Sequence, residues 1–198
     1  MEMRLRHPDR GRENSGETTF LGLGSNLGDR LAFLREGLKA LKDSGIRIIR
    51  VSSVYETDPV GFLEQGSFLN AAAEVEWSGE PRDLLARCLA VEQGMGRERR
   101  MRNGPRTLDI DILLCGERIC REAGLEIPHL RLHERRFALV PLEEIAPGII
   151  HPLLNRTVRE LLASCADPSG VRKLPLHLSL ERVDPSGYNP AASRGTGQ

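Results

Sequence analysis

The sequence predicts an α+β protein built on one antiparallel sheet. Over residues 18–114, strand-like and helix-like patterns of apolar residues alternate in the order β-α-β-β-α-β. That order is typical of the ferredoxin-like split βαβ arrangement, which places two helices on one face of the sheet. The 198-residue chain is 39% apolar, enough for one domain with a full core. We therefore expect the second sheet face to receive ligands or the segments of residues 117–165.

The individual elements are predicted from apolar spacing and from turn-forming residues. Apolar residues three or four apart predict helices, β-branched runs predict strands, and Gly and Pro mark the connections. In chain order, the predictions are a strand at 18–23, a turn at 24–28, a helix ending at Gly45, a strand at 46–55, a loop at 57–66, a strand at 68–77, a helix that starts near Pro81 and is ended by Gly94 and Gly96, a strand at 107–114 and short helices near 135–139 and 158–165.

The two ends of the chain differ in composition from this core. Residues 1–17 and 166–198 are rich in Arg, Gly, Pro, Ser and Asp and lack sustained apolar periodicity. The sequence therefore predicts a disordered N-terminal tail at 1–17, a single folded domain at 18–165 and a flexible C-terminal extension at 166–198.

Charge and cysteine content exclude several classes of protein. Lys plus Arg and Asp plus Glu are 28 each, so no overall field favours nucleic acid or an anionic membrane. The four cysteines show neither zinc-ligand nor disulfide-scaffold spacing, and the chain has no signal-peptide or membrane-span pattern. We expect a cytoplasmic protein that binds a small polyanion, with no nucleic acid, no membrane and no partner protein implied.

One short segment, GPRTLDIDIL at residues 104–113, carries the chemistry. Asp109 and Asp111 are two positions apart on a predicted strand, so they share a face, roughly 6–7 Å apart along the backbone. Mg²⁺ usually takes one or two carboxylates and completes its shell with water and phosphate oxygens. Residues 96–106 add five arginines. The alternative is an ordinary half-exposed strand, but the arginines favour a phosphoryl or pyrophosphoryl transfer site.

Five stretches along residues 19–165, one of which contains this segment, together form a recognisable series of motifs. They are LGLGSNLG (21–28), SSVYETDPVG (52–61), FLNAA (68–72), the 96–114 block, and a last group with Ile127-Pro128-His129, Arg135, Phe137, Pro141-Leu142 and EIAP (144–147). Because these motifs follow one another in the same order as in that family, the chain resembles the 6-hydroxymethyl-7,8-dihydropterin pyrophosphokinases of folate biosynthesis. The resemblance implies transfer of the diphosphoryl group of ATP to the hydroxymethyl oxygen of the pterin, giving AMP, with two Mg²⁺ ions on Asp109 and Asp111.

The same resemblance assigns residues to ATP. It gives a catalytic role to Arg97, Arg99 and Arg106 beside the two aspartates, and it gives ATP contacts to Glu92, Arg97, Arg99, Arg106, His129 and Arg135. A planar guanidinium suits two phosphate oxygens at once. The alternatives are solvated loop arginines, a structural histidine and a surface carboxylate at a helix end.

The resemblance also implies a second set of residues that contact the pterin. They are Thr57, Pro59, Val60, Phe68, Asn70, Asp109 and Phe137. An amide offers both a donor and an acceptor to an aminopyrimidinone edge, and aromatic rings can stack on the pterin. The alternatives are core packing for the phenylalanines and a strand-end hydrogen bond for Asn70. Asn103 replaces the tryptophan usual in the family, so we expect either weaker closure over the pterin or a compensating aromatic residue from elsewhere in the chain.

A function of another class is also open. Ferredoxin-like folds host many activities, so a non-catalytic nucleotide-binding or RNA-binding module is the alternative. The chain has no RNP1-like aromatic string, which RNA recognition by such a sheet would use.

Overall fold

A computed structural model describes residues 17–97 and 104–178, which form a mixed α and β structure with one large antiparallel sheet. The strands are β1 (Glu17–Ser25), β2 (Arg47–Val51), β3 (Tyr55–Thr57), β4 (Phe68–Trp77), β5 (Asp109–Cys115), β6 (Cys120–Glu122), β7 (Leu125–Ile127), β8 (Ile150–His151), β9 (Arg156–Thr157) and β10 (Val171–Lys173). The helices are α1 (Arg30–Asp43), α2 (Pro81–Gly94), α3 (Arg136–Ile145) and α4 (Val158–Ala163), with a 3-10 turn at Leu132–Glu134.

The strand order places three strand ends together. The sheet runs β10-β3-β4-β1-β5, and β2 also pairs with β4. The central strand β1 is antiparallel to both neighbours, so that Gly24 faces Asn70 of β4 on one side and Asp109 of β5 on the other. The last residues of β1 therefore meet the first residues of β4 and β5 at one edge of the sheet.

Helices α1 and α2 cover the first face of the sheet. Apolar residues at helical spacing on α1, including Leu34, Leu38 and Leu41, are fully buried against the strands. Burying each such side chain contributes about 1.5–3 kcal/mol. Asp29 begins α1, because its carboxylate accepts a hydrogen bond from the Ala32 amide at 3.0 Å. This layer forms the larger of two apolar clusters.

Helices α3 and α4 pack on the opposite face. Leu139 and Leu142 of α3 and Leu161 of α4 form a second apolar cluster with Phe20 and Ala72 of the sheet. Alternation along β5 sends Ile110 and Ile112 into the first cluster, so Asp109 and Asp111 at the alternate positions point to the α3 side. The second cluster fills only part of this face, and the ends of β1, β4 and β5 stay open.

The main elements agree with the sequence-based predictions, with differences in bounds. The predicted strand at 46–55 is divided into β2 and β3, because Ser52 leaves the strand and its hydroxyl accepts a hydrogen bond from the Ala72 amide at 2.9 Å. Helix α3 extends past the predicted end at residue 139 to Ile145. The hairpins β6–β7 and β8–β9 were not predicted as such, since strands of two or three residues give no measurable alternation.

The C-terminal extension, expected to be flexible from residue 166, includes a segment at 171–178 that packs on the rest of the fold. Strand β10 adds to the sheet edge by pairing with β3. Leu174 and Leu176 pack against the first cluster, and Leu178 is buried in it. The low apolar content of the whole extension concealed this short packed segment. The expectations for residues 1–16 and 179–198 lie outside the described residues.

The structure also describes the state of the cysteines and the length and polarity of the helices. All four cysteines are free, with Cys88 and Cys115 buried. No helix in residues 17–97 or 104–178 is both long enough and apolar enough to span a lipid bilayer.

Candidate active site

A cavity of about 330 Å³ lies on the α3 side of the sheet, where β1, β4 and β5 meet their loops. It brings together most of the residues predicted from the sequence, namely Thr57, Val60, Phe68, Asn70, Arg97, Arg106, Asp109, Asp111, His129, Arg135 and Phe137. Pro59 and Glu92 are not among the lining residues. Arg99 and Asn103 fall in the stretch between residues 97 and 104 that the structure does not describe.

Glycines on β1 make room for this cavity. A Cβ atom at Gly24 would lie 2.8 Å from Oδ1 of Asn70, and one at Gly22 would lie 3.2 Å from the side chain of Leu113. Both glycines line the cavity. The LGLG motif is therefore explained by close side-chain approach, which the sequence analysis did not assign to either residue.

The two aspartates share the cavity. Asp109 and Asp111 both line it, and their side chains are 19% and 39% exposed, whereas Ile110 between them is buried in the first cluster. The protein atoms packed around Asp111, and then the charge of Asp109, raise the pKa of Asp111 to about 7. The prediction that both carboxylates occupy one face is confirmed by this geometry.

Arginines surround the carboxylates. Nη1 of Arg106 lies 2.5 Å from one oxygen of Asp109, and Nη1 of Arg97 lies 2.6 Å from the other. Nη1 of Arg135 lies 3.9 Å from Asp111. We call Arg97, Arg106, Asp109, Asp111, His129 and Arg135 the charged wall. Carboxylates and guanidinium groups side by side can hold both a metal ion and the phosphates it binds.

Glu92 lies behind this wall. Its side chain is only 3% exposed, it pairs with Arg97, and it accepts a hydrogen bond from the Ile110 amide at 2.7 Å. Burial raises the pKa of Glu92, an effect that the bond from Ile110 opposes. Glu92 is therefore neither the surface carboxylate of the alternative interpretation nor part of the cavity wall. It joins the end of α2 to the start of β5.

A turn residue holds the backbone of Arg106. The Arg106 amide donates to Oδ1 of Asn26 at 2.8 Å, and the Asn26 amide donates to the Arg106 carbonyl at 3.1 Å. The guanidinium lies 5.5 Å from the ring centroid of Phe68. Asn26 belongs to the SNLG stretch of the sequence motif, but the sequence analysis gave it no role.

His129 and Arg135 complete the charged wall. The His129 amide donates to the Leu113 carbonyl of β5 at 2.9 Å, and Nη1 of Arg135 lies 3.2 Å from Nε2 of the imidazole. Burial, and then the charge of Arg135, lower the pKa of His129 to about 4. The imidazole is therefore neutral at neutral pH.

The rest of the cavity is lined by uncharged groups. The Asn70 amide donates to the Thr57 hydroxyl at 2.7 Å, which fixes the amide without using all its hydrogen-bonding groups. Phe68 and Phe137 line the same cavity, and Phe137 also packs on the second cluster. We call Thr57, Val60, Phe68, Asn70 and Phe137 the neutral wall. Asp58 and Arg131 also line the cavity and were not predicted, although Asp58 lies in the SSVYETDPVG stretch.

The residues of the charged wall are chemically suited to binding Mg²⁺. Among the described residues, no cluster of three or more His, Cys, Asp or Glu is arranged as a protein-only metal site. Mg²⁺ does not need one, since one or two carboxylates suffice when water and phosphate supply the remaining oxygens. The repulsion between Asp109 and Asp111 that contributes to the raised Asp111 pKa is what a cation would relieve. Two carboxylates ringed by arginines are typical of proteins that bind a polyphosphate with a divalent metal.

Comparison with known proteins identifies the family. The model described as 7,8-dihydro-6-hydroxymethylpterin-pyrophosphokinase matches residues 20–147. The 2-amino-4-hydroxy-6-hydroxymethyldihydropteridine pyrophosphokinase of Methylorubrum extorquens is 42% identical over 156 residues, 78% of this chain and 97% of that protein. The Aquifex aeolicus protein of that name is 40% identical over 143 residues, 72% of this chain and 89% of that one. The chain belongs to the 7,8-dihydro-6-hydroxymethylpterin-pyrophosphokinase family.

Solved structures show the same fold. The chain matches the Plasmodium falciparum HPPK-DHPS A437G structure with pteroate at a TM-score of 0.59 and 18% identity, covering 77% of this chain. It spans only 44% of that longer protein.

Proposed function

We propose that this chain transfers the diphosphoryl group of ATP to the hydroxymethyl oxygen of 6-hydroxymethyl-7,8-dihydropterin, giving AMP and the pterin diphosphate, in folate biosynthesis. Its family consists of ATP-dependent pyrophosphokinases, whose substrates are ATP and a pterin. The observation that carries the proposal is one cavity with paired carboxylates and arginines on one wall and an oriented amide with aromatic rings on the other.

The charged wall holds the triphosphate. Arg97 and Arg106 already lie against Asp109, so their guanidinium groups are in place before phosphate binds. Phosphoryl transfer depends on positioning and charge neutralisation more than on covalent chemistry. Arg135 and neutral His129 add donors on the Asp111 side. The additional arginine contact predicted for Arg99 remains part of the proposal.

Asp109 and Asp111 hold the magnesium, which we propose to be two ions. A bound metal would supply Lewis-acid charge beside the phosphate oxygens, held there by the carboxylates of Asp109 and Asp111. The two carboxylates contribute a fixed pair of oxygens on a sheet strand whose backbone is paired with β1. Glu92 acts as a positioning residue, because it bonds the Ile110 amide between the two aspartates.

The neutral wall holds the pterin. Asn70 presents an amide edge oriented by Thr57, and Phe68 and Phe137 offer ring faces for stacking. Val60 closes the side formed by the loop after β3. Pro59 acts through the shape of that loop, since its neighbours Asp58 and Val60 are the residues that line the cavity.

The finer features of the fold and setting are proposed on the same basis. The order β3-β4-β1-β5 with α1 and α2 on one face supports a ferredoxin-like core. We take residues 18–165 as the catalytic domain. The four free cysteines are compatible with the predicted cytoplasmic location. The absence of a required partner protein stays a prediction.

The alternative of a non-catalytic nucleotide-binding or RNA-binding module is not favoured. An RNA-binding sheet of this type exposes aromatic residues on its open face. Here the open part of the face carries two aspartates beside Phe68, and α3 and α4 cover the rest.

The test is a product assay with ATP, Mg²⁺ and 6-hydroxymethyl-7,8-dihydropterin. We expect AMP and a pterin diphosphate in equal amounts, and no product when the pterin is left out. ADP as the nucleotide product contradicts diphosphoryl transfer, and binding of ATP with no turnover supports the non-catalytic alternative.

A further inference from the structure

Residues 167–173 lie outside the cavity wall yet contact the loop that begins its neutral side. The Gly170 amide donates to Oδ2 of Asp58 at 2.9 Å, and the Asp58 amide donates to the Gly170 carbonyl at 3.2 Å. Asp58 lines the cavity, and it directly follows Thr57. We call residues 167–173 the C-terminal brace. It fixes the first turn of the 57–66 loop through a reciprocal pair of hydrogen bonds.

The brace continues into strand β10, which pairs with β3. Val171 lies opposite Thr57 in this ladder. Thr57 in turn accepts the hydrogen bond that orients Asn70. Arg172 adds an ion pair to Glu56 at 2.5 Å. The brace therefore reaches the amide of the neutral wall through one intermediate residue.

The other end of the brace contacts helix α3. The Arg136 amide, first in that helix, donates to Oδ2 of Asp167 at 3.0 Å, while the N-cap residue Arg135 supplies no side-chain cap. The first amides of a helix need acceptors, and a carboxylate there is stabilising. Oδ1 of Asp167 also accepts from the Ser169 amide at 2.9 Å, which fixes the carboxylate. Arg135 and Phe137, on either side of Arg136, both line the cavity.

We propose that the C-terminal brace is a positioning element for the acceptor substrate, a role that rests on the proposed function. The neutral wall is built from segments about 80 residues apart, the loop at 57–61 and the start of α3. A planar ring is held well only when the groups around it keep a fixed spacing. The brace hydrogen-bonds both segments. It lies beyond residues 20–147, the part matched by the family model, so the family motifs do not describe it.

Two substitutions test the brace at its two ends. In Gly170→Ala, the new Cβ would lie 2.8 Å from Oδ2 of Asp58, which pushes the loop. In Asp167→Ala, the helix amide loses its acceptor. The matched control is Gly148→Ala, because a Cβ at Gly148 meets nothing within 4 Å. Neither glycine has a positive φ, so alanine introduces no backbone strain at either position.

The first readout is steady-state kinetics with each substrate varied separately. We expect each brace variant to raise KM for the pterin by roughly three- to tenfold, as expected for one lost or distorted hydrogen bond. We expect kcat and KM for ATP to stay within twofold, and the Gly148→Ala control to match the unsubstituted chain. Equal increases in both KM values, or no increase in the pterin KM, overturn the proposal.

The second readout does not require turnover. Amide hydrogen exchange measured by mass spectrometry should be faster in residues 57–61 for Gly170→Ala and in residues 136–139 for Asp167→Ala, with β5 unchanged. Exchange at the unsubstituted rate in these segments overturns the brace even if the enzyme is active. Failure of the unsubstituted chain to form AMP overturns the proposed function instead, so the two failures are distinguishable.

Discussion

The two walls of the cavity are held in place by different kinds of structure. In the charged wall, Asp109 and Asp111 lie on a sheet strand, and Arg106 precedes them in the same stretch of sequence. In the neutral wall, Thr57 and Asn70 lie on β3 and β4, and Phe137 lies on α3. Three of the six residues of the charged wall therefore lie within residues 104–111, whereas the neutral wall is assembled from three separated segments.

This difference shows which contacts hold the side chains of each wall in position. In the charged wall, Arg106 and Asp109 pair only three residues apart, and His129 is attached to β5 through the Leu113 carbonyl. The neutral groups depend on long-range bonds, such as Asn70 to Thr57 and Arg136 to Asp167. We therefore expect substitutions in the charged wall to stop the chemistry, and substitutions in or behind the neutral wall to weaken acceptor binding.

The largest effect is expected from the carboxylates. Asp109→Asn and Asp111→Asn should each lower kcat by roughly 10³-fold or more. A neutral amide holds a divalent cation much less well than a carboxylate does, and the phosphates require that cation. The measurement is AMP formation at saturating ATP and pterin, with urea unfolding to check the fold. The control is Asp43→Asn, which changes an exposed carboxylate on α1 that pairs with Lys39. A carboxylate variant that keeps substantial activity removes that aspartate from the metal site.

An intermediate effect is expected from the neutral wall. Asn70→Ala should raise KM for the pterin roughly tenfold, since it removes the oriented amide and the hydrogen bond to Thr57. KM for ATP should change less than twofold. Gln93→Ala, which removes an exposed amide at the end of α2, is the control and should leave both constants unchanged. If Asn70→Ala instead raises only KM for ATP, the division of the cavity into two walls is wrong.

The smallest effect is a pH dependence of folding stability, which arises from His129 in the charged wall. Burial and Arg135 lower the folded pKa of His129 to about 4, so the unfolded chain takes up this proton first as pH falls below about 6.5. Stability is therefore fully present above pH 6.5 and declines toward pH 4. We expect the chain to lose on the order of 1 kcal/mol more than His129→Gln between pH 6.5 and 4.5. Urea unfolding at both pH values measures this, and parallel losses in the two proteins contradict it.

Prediction from the sequence was most successful where the pattern was local. Periodicity predicted both large helices, and the predicted strand at 68–77 agrees in both bounds with β4. Alternation alone indicated that Asp109 and Asp111 share a face. It could not predict that Glu92 is buried behind Arg97, because burial of a helix-end carboxylate depends on which strand packs there. Nor could it predict β10, whose partner lies more than 110 residues earlier in the chain.

The sequence by itself determined that Asp109 and Asp111 share one face close to Arg106, since residues close in the chain and alternating on a strand meet whatever the rest of the fold does. Only the tertiary structure decided the neutral wall, the role of Asn26 in holding Arg106, and the contacts of Asp167 and Gly170. The physical reason is that hydrogen bonds between distant segments form only after the sheet and α3 have packed, and no local pattern records their partners.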